Sequence, residues 1–332
     1  MAASHRRILA LLSFFVFLAC GQALAQKPAG LPGGYPSKPV KVTIGAAPGG
    51  GTDILGRLVF GKLGEVWGSS FVLENMASGL GGVLALEATS KAPADGYTLL
   101  VTTGSSFLSA AFASQSTVDV RKAIAPIAQF TVACLIVAYN PSQPYNNLKE
   151  FIVYAKANPG KVNYGISGLG SSAHLSGELM QHMANFKMTA VPYKGAGQSV
   201  IDAVGGRIEL VIGSVTALAP YVKSGKLKSL GITSGVRMPS VPDFHTLAES
   251  GIPGFDYAGW FGAVAPAGIP QPIALALNQG IQRVINLQDM QQTLLKGGSD
   301  PVTGSMEQFR ATMLNSLEKT DIVLKATGLK LE

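Results

Sequence analysis

The sequence predicts an α/β protein folded as two lobes, each a parallel-rich sheet flanked by helices. Three observations carry this. Short apolar segments alternate with helix-spaced segments, the pattern of βαβ units. The alternation comes in two sets, parted by two strongly apolar stretches, Cys134–Tyr139 and Trp260–Ala265. At 332 residues the chain is also longer than one hydrophobic core usually serves.

The N-terminus reads as a leader. Arg6 and Arg7 precede an apolar run, Ile8 to Ala19, interrupted only by Ser13. That run falls short of the roughly 20 residues that span a bilayer. Ala23-Leu24-Ala25 then supplies the small-x-small pattern of a cleavage site, so residues 1–25 are expected to be a signal peptide and Gln26 the first mature residue. Two alternatives stand beside this. Phe17-Leu18-Ala19-Cys20-Gly21 faintly resembles a lipoprotein site, although Phe17 stands where Leu is usual, and the apolar run is also readable as a membrane anchor. No later stretch has the length and apolarity to cross a membrane.

After a Gly- and Pro-rich entry (26–37), the first set begins with a strand over Val40–Ala46 and a helix over Ile54–Trp67. A strand at Phe71–Glu74, a helix at Val83–Ser90 and a strand at Tyr97–Thr103 follow. The second set runs from a helix at Leu148–Ala157, stopped by Asn158-Pro159-Gly160, to a strand at Val162–Ser167 and a helix at Ser172–Met183. Thr189–Tyr193, Ile208–Ile212 and Leu227–Thr233 are its further strands, separated by helices at Gln198–Val204 and Ala217–Lys223. The last part holds the Trp260–Ala265 strand and helices across Ile273–Ile285, Met290–Leu295 and Met306–Thr327. We place lobe one at 37–133 plus 260–332 and lobe two at 134–259, joined by two adjacent extended crossings.

Charge and cysteine narrow the function. The net charge of +7 falls by two when Arg6 and Arg7 leave with the leader, and the remaining lysines form no dense cluster. A nucleic-acid binder would show a basic stripe with interleaved aromatics, which is absent here. A mild positive balance suits a small anion. Cys134 is the only cysteine of the mature chain, so no intramolecular disulfide is available, and its apolar neighbours mark it as a buried thiol.

Two loops carry the binding chemistry. Ala47, Pro48, Gly49, Gly50, Gly51, Thr52 and Asp53 lie between the first strand and first helix. Glycines there admit a close approach to backbone, a helix start offers unpaired N–H groups, and Thr52 and Asp53 suit capping. The loop lacks the Gly-Lys-Ser/Thr ending of a phosphate loop and the glycine spacing of a dinucleotide site; a plain tight turn is the competing reading. The second loop runs from Ser167 through Gly170, Ser171 and Ser172 to His174 and again joins a strand to a helix. Both fall at the carboxyl ends of strands, where open α/β sheets bind ligands, and together they would grip a dicarboxylate across a cleft. Neither contains Lys or Arg. Lys194, after the Thr189–Tyr193 strand, is the one nearby cation.

Catalysis has little support. Gly168-Leu169-Gly170-Ser171-Ser172 does not give the strained turn of a serine hydrolase, and His174 reads as a capping or packing residue. No metal-ligand spacing occurs, and neither a cofactor nor a metal is expected.

The chain resembles the tripartite tricarboxylate transporter receptors, also called the Bug family. The resemblance rests on Tyr35-Pro36-Ser37-Lys38-Pro39-Val40, Pro48-Gly49-Gly50-Gly51-Thr52-Asp53 and Lys91-Ala92-Pro93-Ala94-Asp95-Gly96-Tyr97-Thr98. It continues through Asn158-Pro159-Gly160-Lys161, Gly170-Ser171-Ser172-Ala173-His174, Val191-Pro192-Tyr193-Lys194-Gly195 and Trp260-Phe261-Gly262. Such a resemblance implies a monomeric periplasmic receptor of the type II two-lobed binding-protein fold. It would close over a small carboxylate, a di- or tricarboxylate or an aromatic acid, and pass it transiently to membrane transporter subunits. A sensor of the same fold, or a secreted hydrolase built on Ser171 and His174, are the alternatives.

The chain departs from the family at three places. Met76-Ala77 stand where a basic residue and Pro are usual, and Gly213-Ser214 where Asp-Asn is common, which disfavours an amino-acid ligand. Ser105 lies in a segment, Gly104–Leu108, that also differs; there Phe107 either faces the cleft or packs in the core.

Overall fold

The computed structural model describes residues 32–76, 82–112, 116–193 and 196–329. The expected signal peptide, Cys20 and Lys194 therefore lie outside the described residues. In chain order the strands are β1 (Val40–Ile44), β2 (Phe71–Asn75), β3 (Thr98–Thr103), β4 (Ile124–Ala133), β5 (Leu135–Tyr139), β6 (Asn163–Ile166), β7 (Thr189–Pro192), β8 (Leu210–Ser214), β9 (Lys228–Ile232), β10 (Gly259–Pro266) and β11 (Asp300–Pro301). The helices are α1 (Gly51–Trp67), α2 (Val83–Ser90), α3 (Gly104–Phe112), α4 (Val120–Ala123), α5 (Leu148–Ala157), α6 (Ser172–Ala184), α7 (Ala196–Val204), α8 (Val215–Lys223), α9 (Leu247–Ser250), α10 (Gln271–Ile285), α11 (Gln288–Lys296) and α12 (Met306–Thr327).

These strands form two sheets, ordered β11-β4-β10-β3-β1-β2 and β7-β6-β8-β5-β9. The two-lobed α/β architecture expected from the alternation is present. Each sheet is mixed. The βαβ portions are parallel, β1 with β2 and β3, and β6 with β7 and β8. The strands that carry the chain between sheets run the other way: β10 is antiparallel to β3 and β4, and β5 to β8 and β9. A strand entering from the neighbouring lobe arrives at the opposite end from one returning over a helix, which sets its direction.

The crossings are adjacent, with Gly259 beside Ala133 and Trp260 beside Val132. Just beyond, Leu135 and Thr233 exchange hydrogen bonds, and the Tyr257 N–H donates to the Thr233 carbonyl. One core under the first sheet packs Val40, Val42 and Ile44 against Phe60, Leu63 and Trp67 of α1 and Leu277 and Ile281 of α10. On its other face, Leu100, Trp260 and Val264 meet Phe107 and α12. Matching layers cover both faces of the second sheet.

Several features were not read from the sequence. The segment 104–112 is helical, and β4 (Ile124–Ala133) is a strand of its own ahead of β5, which takes the apolar stretch Cys134–Tyr139. The last helix also serves both sheets. Phe309, Met313 and Leu317 pack under the first, whereas Val323 is buried among residues of the second.

Candidate functional site

Four strands end at helix starts that line one compartment of about 450 Å³ between the sheets. Gly51 opens α1, Gly104 and Ser105 open α3, Ser172 opens α6, and Ser214 with Val215 opens α8. The first turn of any helix leaves its N–H groups without intrahelical acceptors and carries a partial positive charge. The compartment therefore presents converging donors to an anion. Ser105 and Ser214 add exposed hydroxyls, the first paired with Thr103 Oγ1 (2.9 Å) and the second with Thr216 Oγ1 (3.1 Å).

The loops before α1 and α6 share one backbone plan. Gly49 (φ 79°) and Gly170 (φ 73°) both take the left-handed conformation that suits glycine. Extended N-cap residues follow, Gly50 and Ser171. Three residues into each helix a buried side chain reaches back to the preceding glycine. The Gly49 N–H donates to Asp53 Oδ2 (2.9 Å), and the Gly170 N–H donates to His174 Nδ1 (3.0 Å).

Asp53 and His174 thus point into their own loops and away from the cleft. Asp53 Oδ1 also accepts from Asn75 Nδ2 (2.8 Å) and Arg57 Nε (2.8 Å). The Gly49 and Asn75 hydrogen bonds hold its carboxyl below the ordinary range, with Arg57 adding to the effect. Burial holds the His174 imidazole below its ordinary value, and Glu178, 3.9 Å from Nε2, works against the shift. With Nδ1 accepting from Gly170, the ring has no bond to the Ser171 hydroxyl. That hydroxyl instead accepts from the His174 backbone N–H (3.3 Å) as a helix cap. The pair forms no nucleophile–base dyad, and the hydrolase reading fails on geometry.

Of the sequence-selected residues, Gly51, Ser105, Ser172 and Ser214 line the compartment. Ala47, Pro48, Gly49, Gly50 and Ser167 are exposed on the loops, and Gly170 and Ser171 are half-buried. Thr52 and Gly213 are buried with Asp53 and His174, Gly213 because it sits inside strand β8 against Leu218. Thr52 and Asp53 do not cap α1; they lie within its first turn after Gly50. Phe107 is a core residue whose ring meets Trp260 at 5.7 Å, so it does not face the cleft. Cys134 is buried as expected, and burial, then Asp300, pushes its thiol up to about 12.

The apolar lining went unread in the sequence. Ile54, Leu55 and Leu58 of α1, Leu135, and Trp260 with Phe261 wall the same compartment. Exposed Ile54 was the available signal, an aliphatic on the open side of a helix start. Gly104 was another: a Cβ there would stand 3.0 Å from Trp260 Nε1, a tight contact, so glycine lets α3 begin this close to the indole without displacing it. No cluster able to hold a metal ion occurs among the described residues.

Residues 55–329 match the tripartite tricarboxylate transporter family receptor. The chain is 32% identical to Protein BugT of Bordetella pertussis over 90% of this chain and 92% of that one. Among solved structures, an R. palustris protein with adipate is 30% identical, covering 89% of this chain and 99% of that one at a TM-score of 0.72. MatC from Rhodopseudomonas palustris with bound malate is 26% identical, covering 87% and 100%, at a TM-score of 0.68. The matched family is one of receptors, not of enzymes.

Proposed function

This chain belongs to the tripartite tricarboxylate transporter receptor family, and on that premise we propose that it captures a small carboxylate between its two sheets and delivers it to a tripartite membrane transporter. The observation that carries the reading is the meeting of four helix starts in one compartment that, among the described residues, no Lys or Arg lines. Backbone N–H groups and hydroxyls would hold the carboxylate, with hydrogen bonds to the charged group worth about 1.5–3 kcal/mol each. The adipate and malate of the two solved relatives support that class.

Gly51, Ser105, Ser172 and Ser214 would touch the ligand. Ala47 to Gly50 and Ser167 to Ser171 would shape the rims, and Asp53 and His174 would fix their loops. Lobe one would comprise 37–133 plus 260–332 and lobe two 134–259, with α12 packed on both, and the lobes would close on the ligand about the paired crossings. We further propose a periplasmic monomer released from its leader before Gln26. In support, no helix among the described residues is long and apolar enough to cross a membrane.

A thermal-shift series with malate, adipate, citrate and benzoate tests the reading. A ligand at a hundredfold excess over its Kd adds about 2.7 kcal/mol, a readable rise in Tm. No rise with any of these acids or with octanoate, and no calorimetric heat, would sink it. Intact-mass analysis of periplasmic protein should show residues 1–25 gone; lipid on Cys20 would correct the localisation.

A further inference from the structure

We propose that the ligand is an elongated acid whose uncharged tail occupies a second compartment, so that terminal charge on the tail weakens binding. This rests on the carboxylate-receptor reading and narrows it. Behind the first compartment lies another, of about 670 Å³, bounded by α12, strands β4, β10 and β11, and the 234–239 segment. The two share Gly104, Ser105, Ser172, Gly259 and Trp260, so they meet at the start of α3. Together they exceed what a four-carbon diacid fills, since ligand pockets commonly wrap most of a ligand's surface.

The rear compartment contributes no further helix start, and its charges are already engaged. Lys319 Nζ donates to Asp256 Oδ2 (2.7 Å) and to the Asp256 carbonyl (2.7 Å). The Arg237 Nε is held by Glu249 (3.1 Å). Buried Asp300 accepts from the Ser240 N–H (2.8 Å) and from the Ser240 hydroxyl. A carboxylate at the tail's end would meet no spare cation and would face the Asp300 and Asp256 carboxylates. An alkyl or aryl tail would meet Leu108, Met238, Tyr257 and Trp260. Helix starts take the head and apolar walls take the tail.

Calorimetry with butyrate, octanoate, 4-phenylbutyrate, octanedioate, malate and citrate reads this directly. Each buried methylene strengthens binding about fourfold, so octanoate should exceed butyrate on the order of a hundredfold. Octanedioate should bind at least tenfold more weakly than octanoate. Exposed Asn315, on the wall of the rear compartment, is the site for a blocking variant. Asn315→Trp should cut octanoate affinity tenfold or more and leave butyrate within about twofold. Octanedioate binding as tightly as octanoate would overturn the tail compartment, as would malate or citrate binding with octanoate and 4-phenylbutyrate silent. In both cases the carboxylate receptor would stand; silence of every acid would overturn both.

Discussion

The loops before α1 and α6 differ in charge more than in shape. Each places a left-handed glycine, an extended cap residue and a side chain that returns to the glycine N–H. In the first loop the returning group is an anion, Asp53, and the cap is a bare Gly50. In the second it is a neutral imidazole, His174, and the cap is Ser171 with its hydroxyl. An anion buried behind an anion-binding loop would repel the ligand unless compensated. Arg57 and Asn75, both on Asp53 Oδ1, supply that compensation. Backbone geometry is what the two lobes share, and each lobe stabilises it with its own electrostatics.

The comparison is most exposed to removal of the returning side chains. Asp53→Ala frees the Gly49 N–H and takes the carboxylate partner from Arg57, so ligand affinity should fall on the order of a hundredfold, a charge-assisted bond being about twice a neutral one. His174→Ala loses one neutral bond and should cost roughly three- to tenfold. Equal losses by calorimetry would erase the distinction between charged and neutral supports.

Acid sharpens it next. Both groups have folded pKa values below their ordinary ones, 3.8 for Asp53 and 6.5 for His174. As pH falls, the unfolded chain takes up each proton first, so each contribution is full above the ordinary value and is lost on descent through the folded one. The second loop should therefore weaken below about pH 6.5 while the first holds until below 3.8. Affinity measured from pH 7.5 to 5.5 should decline in wild type and stay level in His174→Gln. A decline of equal size in the variant would assign the effect elsewhere.

Exchanging the caps gives the smallest effects. Ser171→Ala removes the cap of α6 and should cost about 1 kcal/mol, or roughly 2–4 °C in Tm. Gly50→Ser supplies the hydroxyl that loop one lacks, at a φ of −74° that serine accepts. It should add only a few tenths of a kcal/mol. A Gly50→Ser gain as large as the Ser171→Ala loss would mean that the caps, not the returning side chains, set loop stability.

Much of this was legible in the residues. Alternating apolar segments gave the helices at Val83–Ser90, Leu148–Ala157 and Met306–Thr327 with their bounds intact, because periodicity and breakers agreed there. Both loops proposed to hold the ligand stand out by their glycine and hydroxyl content at strand ends. Helix α3 was missed because Gly104-Ser105-Ser106 reads as loop, although Thr103 accepts from the Ser106 N–H (3.2 Å), a cap signature three residues apart. The bonds that Asp53 and His174 make were not legible for a different reason. Spacing puts a side chain at a helix start but does not say whether it faces solvent or returns to its own backbone. The apolar walls lie on segments as distant as Ile54 and Trp260, a juxtaposition that only the tertiary fold creates.

The bonds from Gly49 to Asp53 and from Gly170 to His174 each span four residues. Closing so short a segment costs little conformational entropy, and neither closure needs the other lobe or a ligand. Both loops are thus ordered in advance of the encounter. On the proposed reading, a ligand arriving at either one would not have to freeze it, and the free energy of contact would be left for drawing the lobes together.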